Sequence, residues 1–480
     1  MIKVDEIRVK LLSYGPKTVL RLNNEQVLVE PDILIALEGI GTIEGVTLED
    51  RYRDLLSRGK DPAKVALMLH KESTRRGHAS LTTSLSIQLE IGKCSRVSSM
   101  LLVAPPFGSY LQESQRRKLV ARSDFVIPRR IDSNPDSRRI FERAIDEAYG
   151  AYRQLIEAGI EIEDARYILP LASATSLFAS GSLDTFLGFI VDSERMGEKI
   201  DVYPEELITI GDEIKKLVYE VAPMLTKARL SFKSELPTYP YSNPYKDRDD
   251  LMDSILKTIG EVTKPKLLSF TSLIADKEAI SRALKDPAKA SSLIPLLNAI
   301  FLEPLSLVAY HQSIRHRTVP TAVESIYIAA ARLIKDPEKS MIIPSKINAS
   351  EKLLEIFRES AETLIECYKS LTESGIPRSD AIYSIPQAMK IYTVRCYNAF
   401  NLLWPQGYIA MRTCSYSQWE ERRIAYEIWN SIAKEDEEIA SLMGERCKLL
   451  GYCPERKWCE IILKYRGYDD EVHRRALNER

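Results

Sequence analysis

The chain repeats itself, and a duplication constrains its architecture more than any local pattern does. Lys10-Leu11-Leu12-Ser13-Tyr14 returns as Lys266-Leu267-Leu268-Ser269-Phe270, each an apolar stretch suited to a strand. Gly159-Ile160, followed by Asp164-Ala165-Arg166-Tyr167-Ile168-Leu169-Pro170, returns at the same spacing as Gly375-Ile376 with Asp380-Ala381-Ile382-Tyr383-Ser384-Ile385-Pro386. Each glycine closes a helical pattern, because glycine supplies the left-handed residue that ends a helix. Before Gly159, Phe141, Ile145, Ala148, Tyr152, Leu155 and Ile156 share a face; before Gly375, Leu353, Ile356, Phe357, Leu364, Cys367, Tyr368 and Leu371 do the same. The pattern predicts an α+β fold of two tandem helix-rich repeats, each with a small mixed or antiparallel sheet.

The junction falls where Pro237, Pro240 and Pro244 deny both helix and central strand. This places the first repeat at 1–235, a linker at 236–250 and the second repeat at 251–480. Only the first repeat carries extra residues, at about 15–50. Two apolar runs there, Val27 to Val29 and Ile33 to Leu37, are split by Glu30-Pro31-Asp32 and suit one or two added strands.

Composition narrows the function classes. Among 480 residues, 67 Lys and Arg balance 68 Asp and Glu, so no global field draws the chain to nucleic acid or to an anionic membrane. A charged N-terminus without an apolar stretch points to the cytoplasm. The most apolar stretch, Leu293 to Ala309, is broken by Pro295, Asn298, Glu303 and Pro304; it reads as a buried helical segment rather than a membrane span. Seven scattered cysteines argue against a disulfide framework. The tail cysteines Cys447, Cys453 and Cys459, with His473, lack paired C-x-x-C hooks, so they are expected to be reduced structural thiols, with no metal site.

Gln312-Ser313-Ile314-Arg315-His316-Arg317 gathers two guanidiniums and an imidazole after what reads as a long apolar helix. As a bare pattern, a solvated helix end accounts for it equally well. The segment, however, resembles the opening of the signature of the flavin-dependent thymidylate synthases, Gln-x-x-Arg-His-Arg, which continues in that family as x-x-Ser-x-Asn-Glu-x-Ser-x-Arg-Tyr. In the second repeat Pro320 stands for the first serine, Ala322-Val323 for Asn-Glu, and Tyr327-Ile328 for Arg-Tyr, while Ser325 is kept. In the first repeat the aligned Ala104 to Arg117 has lost Arg-His-Arg but keeps Ser109, Ser114 and Arg116, with Gln112 for the glutamate and Arg117 for the tyrosine.

Other landmarks resemble the same family. Gly77-His78-Ala79-Ser80 is similar to its flavin-site Gly-His-x-Ser/Thr, although Thr83-Ser84 replaces the usual downstream Glu-His. Arg166 matches its nucleotide-binding Ala-Arg-x-x-Leu-Pro arginine, where the second repeat has Ile382. Arg412 and Arg422 stand near its C-terminal flavin and phosphate arginines, and Ser417-Gln418-Trp419-Glu420 has capping-box spacing. The chain thus resembles a tandem-duplicated, partly degenerate, archaeal-like member.

The resemblance implies reductive methylation of dUMP to dTMP, with 5,10-methylenetetrahydrofolate and NADPH as co-substrates and FAD as cofactor. By the same resemblance, Arg315, His316 and Arg317 are the catalytic group. Gln312, Arg315, Gln112, Ser114, Arg116, Arg166 and Arg422 bind the nucleotide, and His78, Ser80, Arg315, His316, Arg317 and Arg412 bind the flavin. The losses are complementary, which implies a composite site between repeats and a homodimer forming a pseudo-tetramer with half the usual number of sites. The alternative is a catalytically inactive flavin- or nucleotide-binding paralogue acting as partner or scaffold.

Overall fold

The structure, a computed structural model, describes residues 1–461 apart from Asn23, Asn24, Ala79, Glu198, 233–238, Ala275, 456–458 and Glu460. Ala79 of the Gly-His-x-Ser segment, part of the linker and His473 therefore lie outside the described residues.

The first repeat runs through strands β1 (Arg8–Gly15), β2 (Thr18–Leu22) and β3 (Glu25–Val29), then helices α1 (Pro31–Glu44), α2 (Leu48–Ser57), α3 (Pro62–Arg75) and α4 (Ser80–Ser84). It continues with β4 (Ser86–Ser95), α5 (Arg96–Leu102), β5 (Ser109–Gln112), α6 (Pro135–Glu157), β6 (Ala174–Ser182), α7 (Leu183–Met196), α8 (Glu205–Val221) and α9 (Pro223–Leu230). The second repeat runs through β7 (Lys266–Ser272), β8 (Leu297–Ser306), α10 (Leu307–Ser313), β9 (Thr321–Val323), α11 (Ile326–Lys335) and α12 (Glu351–Glu373). It ends with β10 (Lys390–Asn398), α13 (Tyr408–Arg412), α14 (Trp419–Glu435) and α15 (Arg446–Leu450).

The mixed helix and sheet content and the duplicated sheets match the expected α+β class. The first sheet has the order β1-β4-β6-β5 and the second β7-β8-β10-β9, with every neighbour antiparallel. The registers repeat too. Gln112 lies opposite Leu177 and Val323 opposite Thr393, and Leu177 is as far from Thr393 in sequence as Gly159 is from Gly375. Gln112 and Val323 therefore occupy equivalent positions, as the motif alignment has them. Helices α6 and α12 each span 23 residues and end at glycines with φ of +87° and +82°, as the periodicity predicts.

The chain forms two compact units. The first comprises Met1–Pro240 with Lys346–Pro386, the second Tyr241–Ser345 with Gln387–Arg480. Within the first, α12 packs along α6. Within each, one device fixes the end of the central strand. Ser95 caps α5, and its N–H and O–H both donate to the buried Glu206 carboxylate; Ser306 caps α10 and gives its N–H and O–H to buried Glu420 at 2.7 and 2.6 Å.

Two sequence expectations are corrected. Val27 to Val29 lies in a strand as expected, but Ile33 to Leu37 lies in α1. Pro31 opens that helix at its first turn and Gly45 closes it at φ +67°, so Leu34, Leu37 and Ile40 reach a small core with Leu20, Leu22, Val29, Tyr52 and Leu55. Each such leucine buried contributes about 2 kcal/mol. Leu293 to Ala309 is not helical over most of its length but forms β8, a central strand between β7 and β10. A strand buried on both faces reads as one continuous apolar run, which periodicity does not separate from a buried helix. Pro304 is tolerated because it lies past the last β7 pair, Lys266↔Leu302, where β8 has only β10 beside it. The extra residues are also tied down by a buried carboxylate. Asp32 accepts the Met224 and Leu225 N–H at the start of α9, at 2.7 and 2.9 Å, and its carbonyl meets His70 Nε2 at 2.7 Å.

Candidate active site

In the second unit, the chain leaves α10 through a tight turn in which His316 N–H donates to the Ser313 carbonyl at 2.9 Å. The turn sends the His316 ring inward, edge-on to Tyr408 with centroids 5.1 Å apart. Tyr408 and Arg412 open and close α13 and so share a face one turn apart. Gly407 permits the approach to α13, because a Cβ there would stand 2.1 Å from the Phe400 carbonyl oxygen. Arg412 Nε donates to His316 Nε2 at 2.7 Å and lies 3.4 Å from a Glu421 oxygen that also accepts the Tyr408 hydroxyl at 3.1 Å. Gln418, at the N-cap of α14, accepts the Glu421 N–H at 3.0 Å; the helix starts where the capping-box spacing suggested, with Gln418 rather than Ser417 as its cap.

Beneath this layer, Arg395 of β10 stacks on the Tyr408 ring at 4.5 Å and pairs with Glu303 of β8 at 3.0 Å, while the Tyr397 hydroxyl donates to the other Glu303 oxygen at 2.7 Å. Burial raises the Glu303 carboxyl to about 7.

The cluster is cationic. Burial, then Arg412, Arg395, Arg315 and Arg317, push His316 well below its ordinary value, so the ring is neutral, and with Nε2 accepting, its proton sits on Nδ1. Partial desolvation, followed by Arg317 and Arg412, lowers Arg315, which is exposed and has no hydrogen-bonding or ionic partner among the described residues. An anion placed here relieves that repulsion. The structure thus brings Arg315, His316, Arg317 and Arg412 together. Gln312 lies partly exposed at the penultimate position of α10. Arg422 is engaged elsewhere, donating to the Ser415 carbonyl at 2.7 Å.

In the first unit, Gln112 ends β5, and Ser114 Oγ accepts the Arg116 N–H at 3.3 Å in the turn that follows. Arg116 grips Glu163 with two nitrogens, at 2.9 and 3.0 Å. Arg166 sits one turn beyond Glu163, its Nε donating to the Glu163 carbonyl at 3.1 Å and its Nη2 buried without an acceptor among the described residues. Burial lowers Arg166, with Arg116 adding to the effect. His78 and Ser80, both exposed, line a hollow of about 280 Å³, and Ser80 also lines an adjoining one of about 560 Å³. Gly39 and Thr42 of α1 line both, so the extra residues of the first repeat build the walls beside the Gly-His-x-Ser segment. Gln112, Ser114, Arg116 and Arg166 line neither.

The family described as thymidylate synthase complementing protein, Thy1, matches the chain twice, over residues 46–224 and 244–436. The chain belongs to the Thy1 family. A flavin-dependent thymidylate synthase of Thermococcus onnurineus is 30% identical over 184 residues, covering 34% of this chain and 71% of that protein. One from Pyrococcus abyssi is 32% identical over 161 residues, covering 32% and 64%. Among solved structures, a UMP/dUMP methylase PolB from Streptomyces cacaoi bound with 5-Br dUMP aligns at 16% identity and a TM-score of 0.38, over 49% of this chain and 100% of that one.

Against the Thy1 landmarks, sequence reasoning missed the carboxylates that hold them. Glu163 fixes Arg116, Glu421 faces Arg412 and Tyr408, and Glu303 pairs with Arg395. One signal was present: a lone glutamate inside the apolar stretch Leu293 to Ala309 needs a buried partner. Glu163 and Glu421 carry no such mark, since each sits in an ordinary charged segment.

Proposed function

We propose that the protein is a flavin-dependent thymidylate synthase-like enzyme that methylates dUMP to dTMP in the cytoplasm. It would use 5,10-methylenetetrahydrofolate, reduced FAD and NADPH. Family membership supports a methyltransferase that uses a flavin. The observation that carries the reading is the cluster of Arg315, neutral His316, Arg317 and Arg412, whose positive charge, with Arg315 unpaired among the described residues, fits an anionic flavin edge or a nucleotide. Bound FAD supplies the hydride for the reduction. The chain's own groups bind and orient. Arg315 offers an unengaged guanidinium, Arg412 is aimed by His316 and Glu421, and His316 Nδ1–H is a donor that adds no charge. In the first unit, the buried Arg166 Nη2 suits a phosphate oxygen.

The composite site is part of the proposal and rests on sequence complementarity. The second repeat keeps Gln312, Arg315, His316 and Arg317, and the first keeps His78, Ser80, Ser114, Arg116 and Arg166, with Gln112 beside them. On this reading two chains associate as a pseudo-tetramer. Purified protein is expected to carry flavin absorbance and to form dTMP only when dUMP, folate and NADPH are all present. A colourless protein that takes up no FAD would sink the reading. Arg315→Ala and Arg116→Ala should each weaken dUMP binding; if only one does, the remnants do not share a pocket.

A second reading is a non-enzymatic flavin- or nucleotide-binding paralogue. It is favoured by Gln112 in place of the family glutamate and by the grip of Glu163 on Arg116. Binding of FAD and dUMP without any dTMP formation selects it.

A further inference from the structure

Four of the seven cysteines converge in the second unit. Cys414 lies on the turn two residues beyond Arg412, Cys447 on α15, and Cys453 and Cys459 on the segment that follows. All four line one small cavity, with Glu445, Arg446 and Ile461 among its other walls. Its volume of about 20 Å³ is room for a single water or ion, too little for a multinuclear cluster. Cys447 and Cys453 are buried and pack with Ile461.

Reduced cysteines often serve as small apolar fillers, which accounts for one or two thiols in such a spot. It does not account for a guanidinium beside four. Arg446 lines the same cavity, and its Nε is buried with no hydrogen-bond partner among the described residues. A buried donor in that state calls for negative charge nearby; Glu445 and Glu455 line the same cavity, Glu445 accepting the Tyr426 hydroxyl at 2.8 Å, and neutral thiols add none. Among the described residues no three ligating side chains already stand around one point, so an ion would draw the sulfurs inward.

We propose that Cys414, Cys447, Cys453 and Cys459 form a site for one soft divalent cation of the zinc type, held as a tetrahedral tetrathiolate. Uptake releases the four thiol protons and leaves a complex with two net negative charges, which the Arg446 guanidinium partly offsets. The metal–sulfur distance is about 2.3 Å. The tail spacing alone hides the site, because its fourth ligand comes from a distant turn. That turn also carries Arg412, so the ion clasps the tail to the segment that presents a guanidinium to His316.

The test is an anaerobic titration of the reduced, metal-free full-length protein with Co²⁺ alone. One Co²⁺ per chain is expected, with thiolate-to-cobalt charge-transfer absorption in the near ultraviolet and the strong visible bands of tetrahedral geometry, all bleached by one equivalent of Zn²⁺. Cys414→Ser and Cys453→Ser should each abolish or shift these bands, and Cys396→Ser, whose thiol lies on β10 outside the cavity, should leave them unchanged. No charge-transfer band in the parent protein overturns the proposal, as does a band that Cys414→Ser leaves unchanged, or disulfide formation in air by chains that take up no metal. If Cys414→Ser does not fold, the titration of the parent chain still decides. None of these readouts depends on dTMP formation.

Discussion

Arg412 gives its Nε hydrogen to His316 Nε2 across 2.7 Å, and that bond fixes both the charge and the tautomer of the imidazole. Arg412→Met removes the donor and one of the cations that depress the ring. The His316 pKa should therefore rise toward its ordinary value, followed by NMR of the ring protons. FAD affinity should fall on the order of 10- to 100-fold, the usual worth of a charge-assisted hydrogen bond. Unchanged FAD binding would remove Arg412 from the flavin site.

The same depression makes stability depend on pH in a defined direction. The unfolded His316 titrates at its ordinary 6.5, and the folded one well below. Between those values the unfolded chain holds a proton that the folded chain lacks, so this contribution is lost as pH falls below about 6.5. Glu303, raised to about 7, and Asp380, raised to about 6, act with the opposite sign, because the folded chain holds their protons more tightly. Comparing the parent with His316→Gln cancels those two groups. The thermal midpoint of the parent should drop more steeply between about pH 6.5 and 5 than that of the variant; parallel profiles would refute it.

The serine–glutamate device at the end of each central strand makes a paired prediction. Glu420 accepts both the N–H and the O–H of Ser306 with no exposure of its own. Glu420→Ala leaves two buried donors without an acceptor and should cost about 2–4 kcal/mol in urea unfolding. Glu206→Ala should cost at least as much, since Glu206 also accepts the Tyr383 hydroxyl. A loss below about 0.5 kcal/mol at either position would show that the device is not structural.

What the sequence reveals and what it conceals divides along physical lines. Helix ends at Gly159 and Gly375 and strands at Lys10 and Lys266 are local, so periodicity and a positive φ expose them. Ile33 to Leu37 and Leu297 to Ser306 are short apolar runs whose conformation is decided by their neighbours: a proline at N1 for the first, strands on both sides for the second. The site shows the same split. Arg315, His316 and Arg317 are adjacent in the chain and legible as a motif, and Arg412 is legible through the family resemblance. Glu421, Glu163 and Cys414 reach their partners only through folding.

Arg116 offers a sharper test of the nucleotide reading. Glu163 holds it with one hydrogen bond, from Nη2, and a second ion-pair contact at Nε, and a phosphate must compete with that carboxylate. Glu163→Gln keeps the shape but removes the charge, so dUMP should bind more tightly, on the order of tenfold. Arg116→Ala in that background should abolish the gain. Weaker binding in Glu163→Gln would mean that the carboxylate positions Arg116 rather than competing for it.

Glu303 and Arg395 test how the floor of the cluster is held. Both side chains are wholly buried, 3.0 Å apart, and Tyr397 completes the Glu303 carboxylate. Taking away one member leaves the other charged in a site closed to solvent. Glu303→Gln should therefore destabilise the protein by about 3–5 kcal/mol, measured by urea unfolding. Replacing both, as Glu303→Met with Arg395→Met, removes the desolvated charges together and should restore much of that loss. The same double variant takes away the cation stacked on Tyr408, one of those that hold His316 neutral. Its His316 pKa should rise even where stability recovers, and an unchanged pKa would show that the buried pair exerts no electrostatic hold on the imidazole.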